Sequence, residues 1–230
     1  MTINVPEAAR LEIKFVTVGT DQHRVREWLR RQPAGFTMAH PDRTINNIYF
    51  DTFEYQSYAD NLAGISRRAK VRYRWYGPSP TPDSGWLEIK KKRNSFGWKD
   101  RYRIDQAPYE PGFDWRRIRA RFLAQLPPEG AMWLEAHPVP VMSNRYERQY
   151  YIDATNRLRV TLDTNQTVFD QRNGVTPQFG QRGNISDVLI VEFKFARGAR
   201  DYVSGILGKF PIRSSRSSKY MTAVKAISFS

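Results

Sequence analysis

The sequence contains no cysteine, which removes disulfides, thiolate nucleophiles and cysteine-ligated zinc from consideration. Histidine is nearly as scarce: His23, His40 and His137 are scattered without metal-ligand spacing, so imidazole chemistry has few candidates. No apolar run approaches the roughly 20 residues that a bilayer-spanning helix needs. Residues Met1 to Arg10 lack the apolar stretch of a secretory signal, so a cytoplasmic location is expected. A Walker P-loop is missing, because Gly208-Lys209 has neither the upstream glycine nor the following Ser or Thr, and no dinucleotide fingerprint occurs. Acidic residues are also few, 23 against 37 Lys and Arg, which leaves a formal net charge of +14. The expected partner is therefore anionic: nucleic acid, acidic membrane, nucleotide or polyphosphate. Charge alone does not choose among them.

What is present is enough for a full core. A chain of 230 residues, 40% apolar with six Trp, twelve Tyr and thirteen Phe, is expected to form one domain over 1–230 without a boundary or low-complexity segment. Period-two alternation predicts strands at Arg10 to Val16, Asn46 to Asp51, Lys70 to Trp75, Leu87 to Lys92, Lys99 to Asp105, Asn144 to Asp153, Leu158 to Asp163 and Val188 to Phe195. Helices are predicted at Gln22 to Arg31, capped by Asp21, at Phe113 to Leu126, ended by Pro127-Pro128-Glu129-Gly130, at Arg200 to Lys209 and at Ser217 to Ser228. Phe53 to Leu62 reads as a loop or a turn of helix, His137 to Ser143 as a connector, and Gln171 to Asp187 as a long loop.

The hairpin from Lys70 to Arg93 organises the rest. Lys70, Arg72 and Arg74 share one face of its first arm while Val71, Tyr73 and Trp75 share the other; the second arm sets Glu88, Lys90 and Lys92 against Leu87 and Ile89. Two cations about 6 Å apart repel by roughly 0.7 kcal/mol in water but by roughly 3 kcal/mol at an effective dielectric of 20. An open, solvated face tolerates this; an enclosed face needs a polyanion. The pattern recurs in Leu11-Glu12-Ile13-Lys14, Leu87-Glu88-Ile89-Lys90 and Val191-Glu192-Phe193-Lys194, with Arg159 added by the same parity. Ordinary surface charge on a half-buried sheet would interleave the signs more evenly than Lys14, Lys70, Arg72, Arg74, Lys90, Lys92, Arg159 and Lys194 against Glu12, Glu88 and Glu192. A face of this kind suits phosphoryl binding and transfer, in which cations neutralise phosphate oxygens and a few carboxylates hold a divalent metal. Near the C-terminus, Arg213, Arg216 and Lys219 recur at a spacing of three, where a helix start would favour an anion.

Taken with Ile48-Tyr49-Phe50-Asp51-Thr52, Arg72-Tyr73-Arg74-Trp75-Tyr76-Gly77, Ser143-Asn144-Arg145-Tyr146, Arg159-Val160-Thr161-Leu162-Asp163 and Ser218-Lys219-Tyr220, these motifs resemble, in order along nearly the whole chain, the VTC polyphosphate polymerase domain of the CYTH or triphosphate tunnel metalloenzyme superfamily. The resemblance implies an α+β fold: an antiparallel β-barrel, the triphosphate tunnel, with helices packed outside. It implies transfer of the γ-phosphate of ATP to inorganic polyphosphate, with Mn²⁺ or Mg²⁺. Phosphate-lining cations would be Lys14, Arg72, Arg74, Lys90, Lys92, Arg145, Arg159, Lys194 and Lys219, joined by Lys99 and Arg216. Of these, Lys14, Arg72, Arg74, Lys90 and Lys219 together with Glu192 would carry catalysis. Glu192 would hold the metal, with Glu88 and Glu12 beside it. Two features depart from the pattern. Arg10 stands where the superfamily often has a Glu, and the inositol-phosphate-sensing and membrane portions of the fungal polymerases have no counterpart here.

Three rivals remain at the level of sequence. Water in place of polyphosphate as acceptor makes a triphosphatase or tripolyphosphatase with the same lining. A catalytically dead tunnel makes a polyanion binder. A nucleic-acid module would need aromatics among the cations for base stacking, and in the hairpin only Tyr76 shares the cationic side, so no nucleic-acid partner is expected.

Overall fold

The structure is a computed structural model that describes residues 5–106, 108–110, 112–180, 182–213 and 218–228. Eight antiparallel strands close into a ring: β1 Arg10–Val18, β2 Thr37–Asp51, β3 Arg67–Tyr76, β4 Gly85–Arg93, β5 Phe96–Ile104, β6 Val139–Ile152, β7 Leu158–Asp170 and β8 Val188–Phe195. Their order around the ring is β1, β5, β4, β3, β2, β6, β7, β8. The seam between β1 and β5 is short, pairing only Arg10 with Gly97 and Leu11 with Phe96. The expected antiparallel barrel with helices outside is thereby borne out.

Six helices pack outside: α1 Gln22–Arg31, α2 Gln56–Leu62, α3 Trp115–Leu123, α4 Pro128–Glu135, α5 Arg200–Leu207 and α6 Lys219–Ser228. They decide which face of each strand is apolar. Leu11, Phe15, Val160, Leu162, Val191 and Phe193 form one cluster with Val25 and Leu29 of α1 and Val203 of α5. Val71, Tyr73, Trp75, Leu87 and Ile89 form a second with Trp115, Ile118 and Phe122 of α3 and Leu134 of α4. The outer face of the ring is thus the hydrophobic one, and strict alternation turns the charged residues inward. α6 lies across one end: its Tyr220 stacks on inward-facing Tyr49 at 5.2 Å, and its Tyr220 hydroxyl donates to Asp51 at 2.5 Å.

Four expectations need correction. Asp21 closes a 3₁₀ turn and accepts a hydrogen bond from Thr17 instead of capping α1. The helix expected over Phe113 to Leu126 runs only from Trp115 to Leu123 and stops before the prolines are reached; Pro127-Pro128 instead starts α4, because a proline in the first helical turn forfeits no intrahelical bond. The segment taken for a connector is mostly strand, since β6 begins at Val139; Pro140 is accommodated where the β2–β6 register shifts, between Tyr49/Met142 and Phe50/Pro140. Strands β2 and β7 also run well beyond their short apolar cores, to 15 and 13 residues. The helix start expected at Ser217 lies outside the described residues; Ser218 caps α6, its hydroxyl accepting from Met221 N at 3.4 Å. Among the described residues, no helix is long and apolar enough to cross a membrane.

Candidate functional site

Residues directly opposite one another on neighbouring strands share a face, so register alone assembles the interior. Lys14 of β1 faces Glu192 of β8, which faces Thr161 of β7; one step along, Glu12 faces Lys194, which faces Arg159. On the other wall Lys70 faces Lys90, which faces Lys99, and Arg72 faces Glu88, which faces Arg101.

Three buried carboxylate centres hold these cations. Glu192 takes Lys194 at 2.6 Å, Lys14 at 3.1 Å, Lys219 at 3.5 Å and Arg148 at 3.7 Å. Glu88 takes Arg72 at 2.5 Å, Lys99 at 2.7 Å, Arg101 at 3.2 Å and Arg74 at 3.7 Å. Asp163 is gripped by Arg148, whose Nη2 lies 2.6 Å from Oδ2, and by Lys219. Glu12 joins the walls, with Lys14 at 3.0 Å, Lys90 at 3.5 Å and Lys194 at 3.8 Å. Tyrosines complete the arginines' hydrogen bonds: Arg72 donates to Tyr49 and Arg74 to Tyr146, both at 3.1 Å, and Arg74 also donates to Asn47 at 2.8 Å.

The electrostatics follow from this crowding. Burial raises the Glu192 and Glu88 carboxyls, but the surrounding cations overcome it and hold both well below the usual carboxylate range. The lysines divide. Lys219 is disfavoured by burial yet raised overall by Asp163 and Glu192. Lys70 is driven well down by burial and then by Lys90, Lys14, Arg68 and Arg72; its ammonium finds Ser218 Oγ at 2.8 Å. Lys90 is pulled up most by Glu12, but burial, Lys14 and Lys194 act against it and the net effect brings it to about 7. Burial takes Lys99 to about 8 against the pull of Glu88. The interior therefore has more positive charge than its carboxylates neutralise.

The structure brings together Lys14, Arg72, Arg74, Lys90, Lys99, Lys194, Lys219, Glu12, Glu88 and Glu192. Lys92 follows Lys90 on the inner row, opposite Arg68 and Gly97. Arg159 keeps the inward parity but is exposed, close enough to Arg10 to lower its pKa after burial. Arg145 is a correction: it pairs with Asn46 and Thr167, and Asn46 pairs with Trp75 of the outer core, so Arg145 faces outward. The inward guanidinium on that strand is Arg148. Arg216 lies outside the described residues.

Sequence reasoning passed over Arg148, Asp163 and Arg101 as site residues and left Lys70 out of the expected set. A signal for Arg148 existed, since Asn144, Tyr146 and Arg148 alternate. It was obscured because charge falls on both faces of β6: Arg145 and Glu147 alternate with Tyr146 and Arg148, so the cation at Arg145 competes with the one at Arg148 for the inward role. The aromatics are a further correction: besides Tyr76, the inner rows carry Tyr49, Trp86, Tyr146 and Tyr150.

No three His, Cys, Asp or Glu among the described residues converge on a point that would hold a metal by themselves. Glu12 and Glu192 do converge, each within about 3 Å of the Lys14 ammonium. Two carboxylates whose remaining ligands come from phosphate oxygens and water are what Mg²⁺ or Mn²⁺ uses beside a phosphate substrate. The donor set of Glu12 and Glu192 fits a metal whose remaining ligands come with the phosphate.

The ring of antiparallel strands, apolar outside and cationic within, defines a protein of the triphosphate-tunnel class. The fold is shared with solved structures, among them the following two. A protein from Vibrio parahaemolyticus described as an adenylate cyclase candidate superposes with a TM-score of 0.55 at 9% identity, over 97% of this chain and 99% of that one. One from Hippeastrum, described as an adenylyl cyclase candidate with a dominant triphosphatase activity, gives 0.52 at 13% identity, over 92% of each chain. No curated protein matches in sequence. The model of the VTC domain matches residues 9–228, and the chain belongs to that family.

Proposed function

We propose that this domain is a metal-dependent polyphosphate polymerase that transfers the γ-phosphate of ATP to the end of an inorganic polyphosphate chain and releases ADP. The observation that carries the reading is the enclosed cationic interior, in which Lys14, Arg72, Arg74, Lys99, Arg101, Arg148, Lys194 and Lys219 gather on only the carboxylates of Glu12, Glu88, Asp163 and Glu192. Linked phosphates would supply the missing negative charge, and VTC family membership favours polyphosphate as acceptor.

In this reading a terminal polyphosphate oxygen forms the new bond to the γ-phosphorus as the bond to the β-phosphate oxygen breaks, with ADP as leaving group. The acceptor is already anionic, so no strong general base is needed. Lys14, Arg72, Arg74, Lys90, Lys194 and Lys219 hold donor and acceptor in line and stabilise the charge that moves between their oxygens. A Mn²⁺ or Mg²⁺ ion held by Glu192 and Glu12 would supply further neutralisation of phosphate oxygens, with Glu88 keeping the opposite wall's arginines in position.

A second reading, water as acceptor, is favoured by the fold shared with the Hippeastrum triphosphatase. Purified protein incubated with ATP and Mn²⁺, followed by gel separation of long polyphosphate from orthophosphate, distinguishes the two. Long chains are expected. Orthophosphate alone would replace the polymerase with a triphosphatase, and neither product, with tripolyphosphate still bound, would leave a polyanion binder.

A further inference from the structure

Helix α2 ends in a turn that leaves its apolar residues without a partner. Gly64, at φ 69°, donates from its backbone N–H to Asn61 O, and Ile65 donates to Asp60 O at 2.9 Å, the pair of bonds that make a Schellman ending. In that ending the side chain at the place of Ile65 ordinarily packs on the one at the place of Asp60. Here the Asp60 carboxylate instead accepts from Gln56 at 2.6 Å, and Ile65 stays 46% exposed. Leu62, on the last turn of α2, is 63% exposed. Two aliphatic side chains therefore project from one tip.

The tip stands on a cationic rim. Arg67 faces Arg93 across the β3–β4 ladder, and Arg68 donates to the Ile65 carbonyl and has Asp60 near it. The turn between β4 and β5 is tied to the tip, Asn94 N donating to Ser66 O at 3.0 Å. Arg93 pairs in turn with Phe96, whose ring centroid lies 4.4 Å from the Arg197 guanidinium. Arg10 then opens β1 opposite Gly97, close enough to Arg159 to feel its charge. A protein interface needs several hundred Å² with an apolar centre, which two isolated side chains do not offer. Stacking of nucleic-acid bases needs open aromatic faces, and Phe96 is covered by Arg197. Two aliphatic wedges above a basic collar suit an anionic bilayer, where the wedges reach the acyl boundary and the arginines meet headgroup charge.

We propose that this rim docks peripherally on anionic lipid bilayers, with Leu62 and Ile65 inserted and Arg67, Arg68, Arg93 and Arg197 against the headgroups. The inference stands apart from how the interior handles phosphates.

The chamber is itself cationic, so the test is run with excess tripolyphosphate to occupy it. The full chain is sedimented with vesicles of phosphatidylcholine alone and of phosphatidylcholine with about 30% phosphatidylserine. Binding about ten-fold tighter to the anionic vesicles is expected, weakening as salt is raised. Leu62→Ser combined with Ile65→Ser is expected to lower it about ten-fold, and Arg67→Glu to lower it as well, with tripolyphosphate affinity unchanged in both. The absence of cysteine permits a single reporter. An environment-sensitive fluorophore attached to the Ile65→Cys variant should shift to the blue on anionic vesicles. The same label on Thr81→Cys, exposed in the loop at the other end of the β3–β4 hairpin, should not. Equal binding to both vesicle types, or equal shifts from both labels, overturns the docking. Binding that survives the paired serines and falls only with Arg67→Glu marks a plain polyanion surface of the kind nucleic acid also uses, and overturns the assignment to a bilayer.

Discussion

Arg72 and Glu88 face each other across the β3–β4 ladder, and Arg72 donates from both Nε, at 2.9 Å, and Nη2, at 2.5 Å, to one carboxylate oxygen. The other Glu88 oxygen takes Lys99 and Arg101, so one fully buried carboxylate steadies four cations. Glu88→Gln keeps the shape and removes the charge. Breaking a buried pair in this way costs about 3–5 kcal/mol, and a fall of that size in the urea-unfolding free energy is expected. Saturating tripolyphosphate should recover part of it by neutralising the same cations. An unchanged midpoint would mean that Glu88 does not hold the wall together.

Arg72→Ala and Lys219→Ala are expected to abolish phosphate transfer, because each removes a cation from the interior, while circular dichroism shows a folded chain. Lys219 touches both Asp163 and Glu192, so its loss also loosens α6, which limited proteolysis would reveal. Full turnover in either variant would displace the site from this chamber.

Arg145 and Arg148 give a test of facing that homology-style matching alone would get backwards. Arg145→Ala, on the outer side, should change turnover less than two-fold. Arg148→Lys, which retains charge but loses the two-pronged grip on Asp163, should reduce it at least ten-fold at unchanged secondary structure. Equal effects would refute the register of β6.

Glu192→Gln should raise the Mn²⁺ or Mg²⁺ concentration needed for half-maximal activity more than it changes the affinity for tripolyphosphate measured without metal. A variant with an unaltered metal response would remove Glu192 from that role.

Proton linkage follows from the lowered lysines. Lys90 titrates near 7 in the folded chain against 10.5 ordinarily, and Lys99 near 8. Between those values the unfolded chain holds the proton and the folded chain does not, so the contribution of these groups to stability rises with pH from about 7 upward and their cost is complete below it. A bound polyanion reverses the shift. Tripolyphosphate binding at pH 8 should therefore take up protons, seen as a dependence of the calorimetric heat on buffer ionisation enthalpy, and Lys90→Gln should reduce the uptake. Binding heats independent of buffer would show that both lysines stay charged in the empty chamber.

The sequence by itself determined the strands' alternation, hence that Lys14, Arg72, Arg74, Lys90, Glu88 and Glu192 each lie opposite an apolar face, because a period of two needs no knowledge of neighbours. The repeated Glu-x-Lys strands and the order of motifs carried the family and the ring. Only the tertiary structure decided which face is the inside: the helices cover the apolar side, and that turns a solvated-looking pattern into a chamber whose burial, and then the neighbouring cations, lower Lys70 and Lys90. It also decided β6, which carries cations on both faces, so that alternation alone does not say which is inside; register against Asn46 and Asp163 sends Arg145 out and Arg148 in. The meeting of Arg43, Tyr76 and Tyr150 from three strands is likewise invisible in sequence, since strand order around a closed sheet is a property of the whole chain.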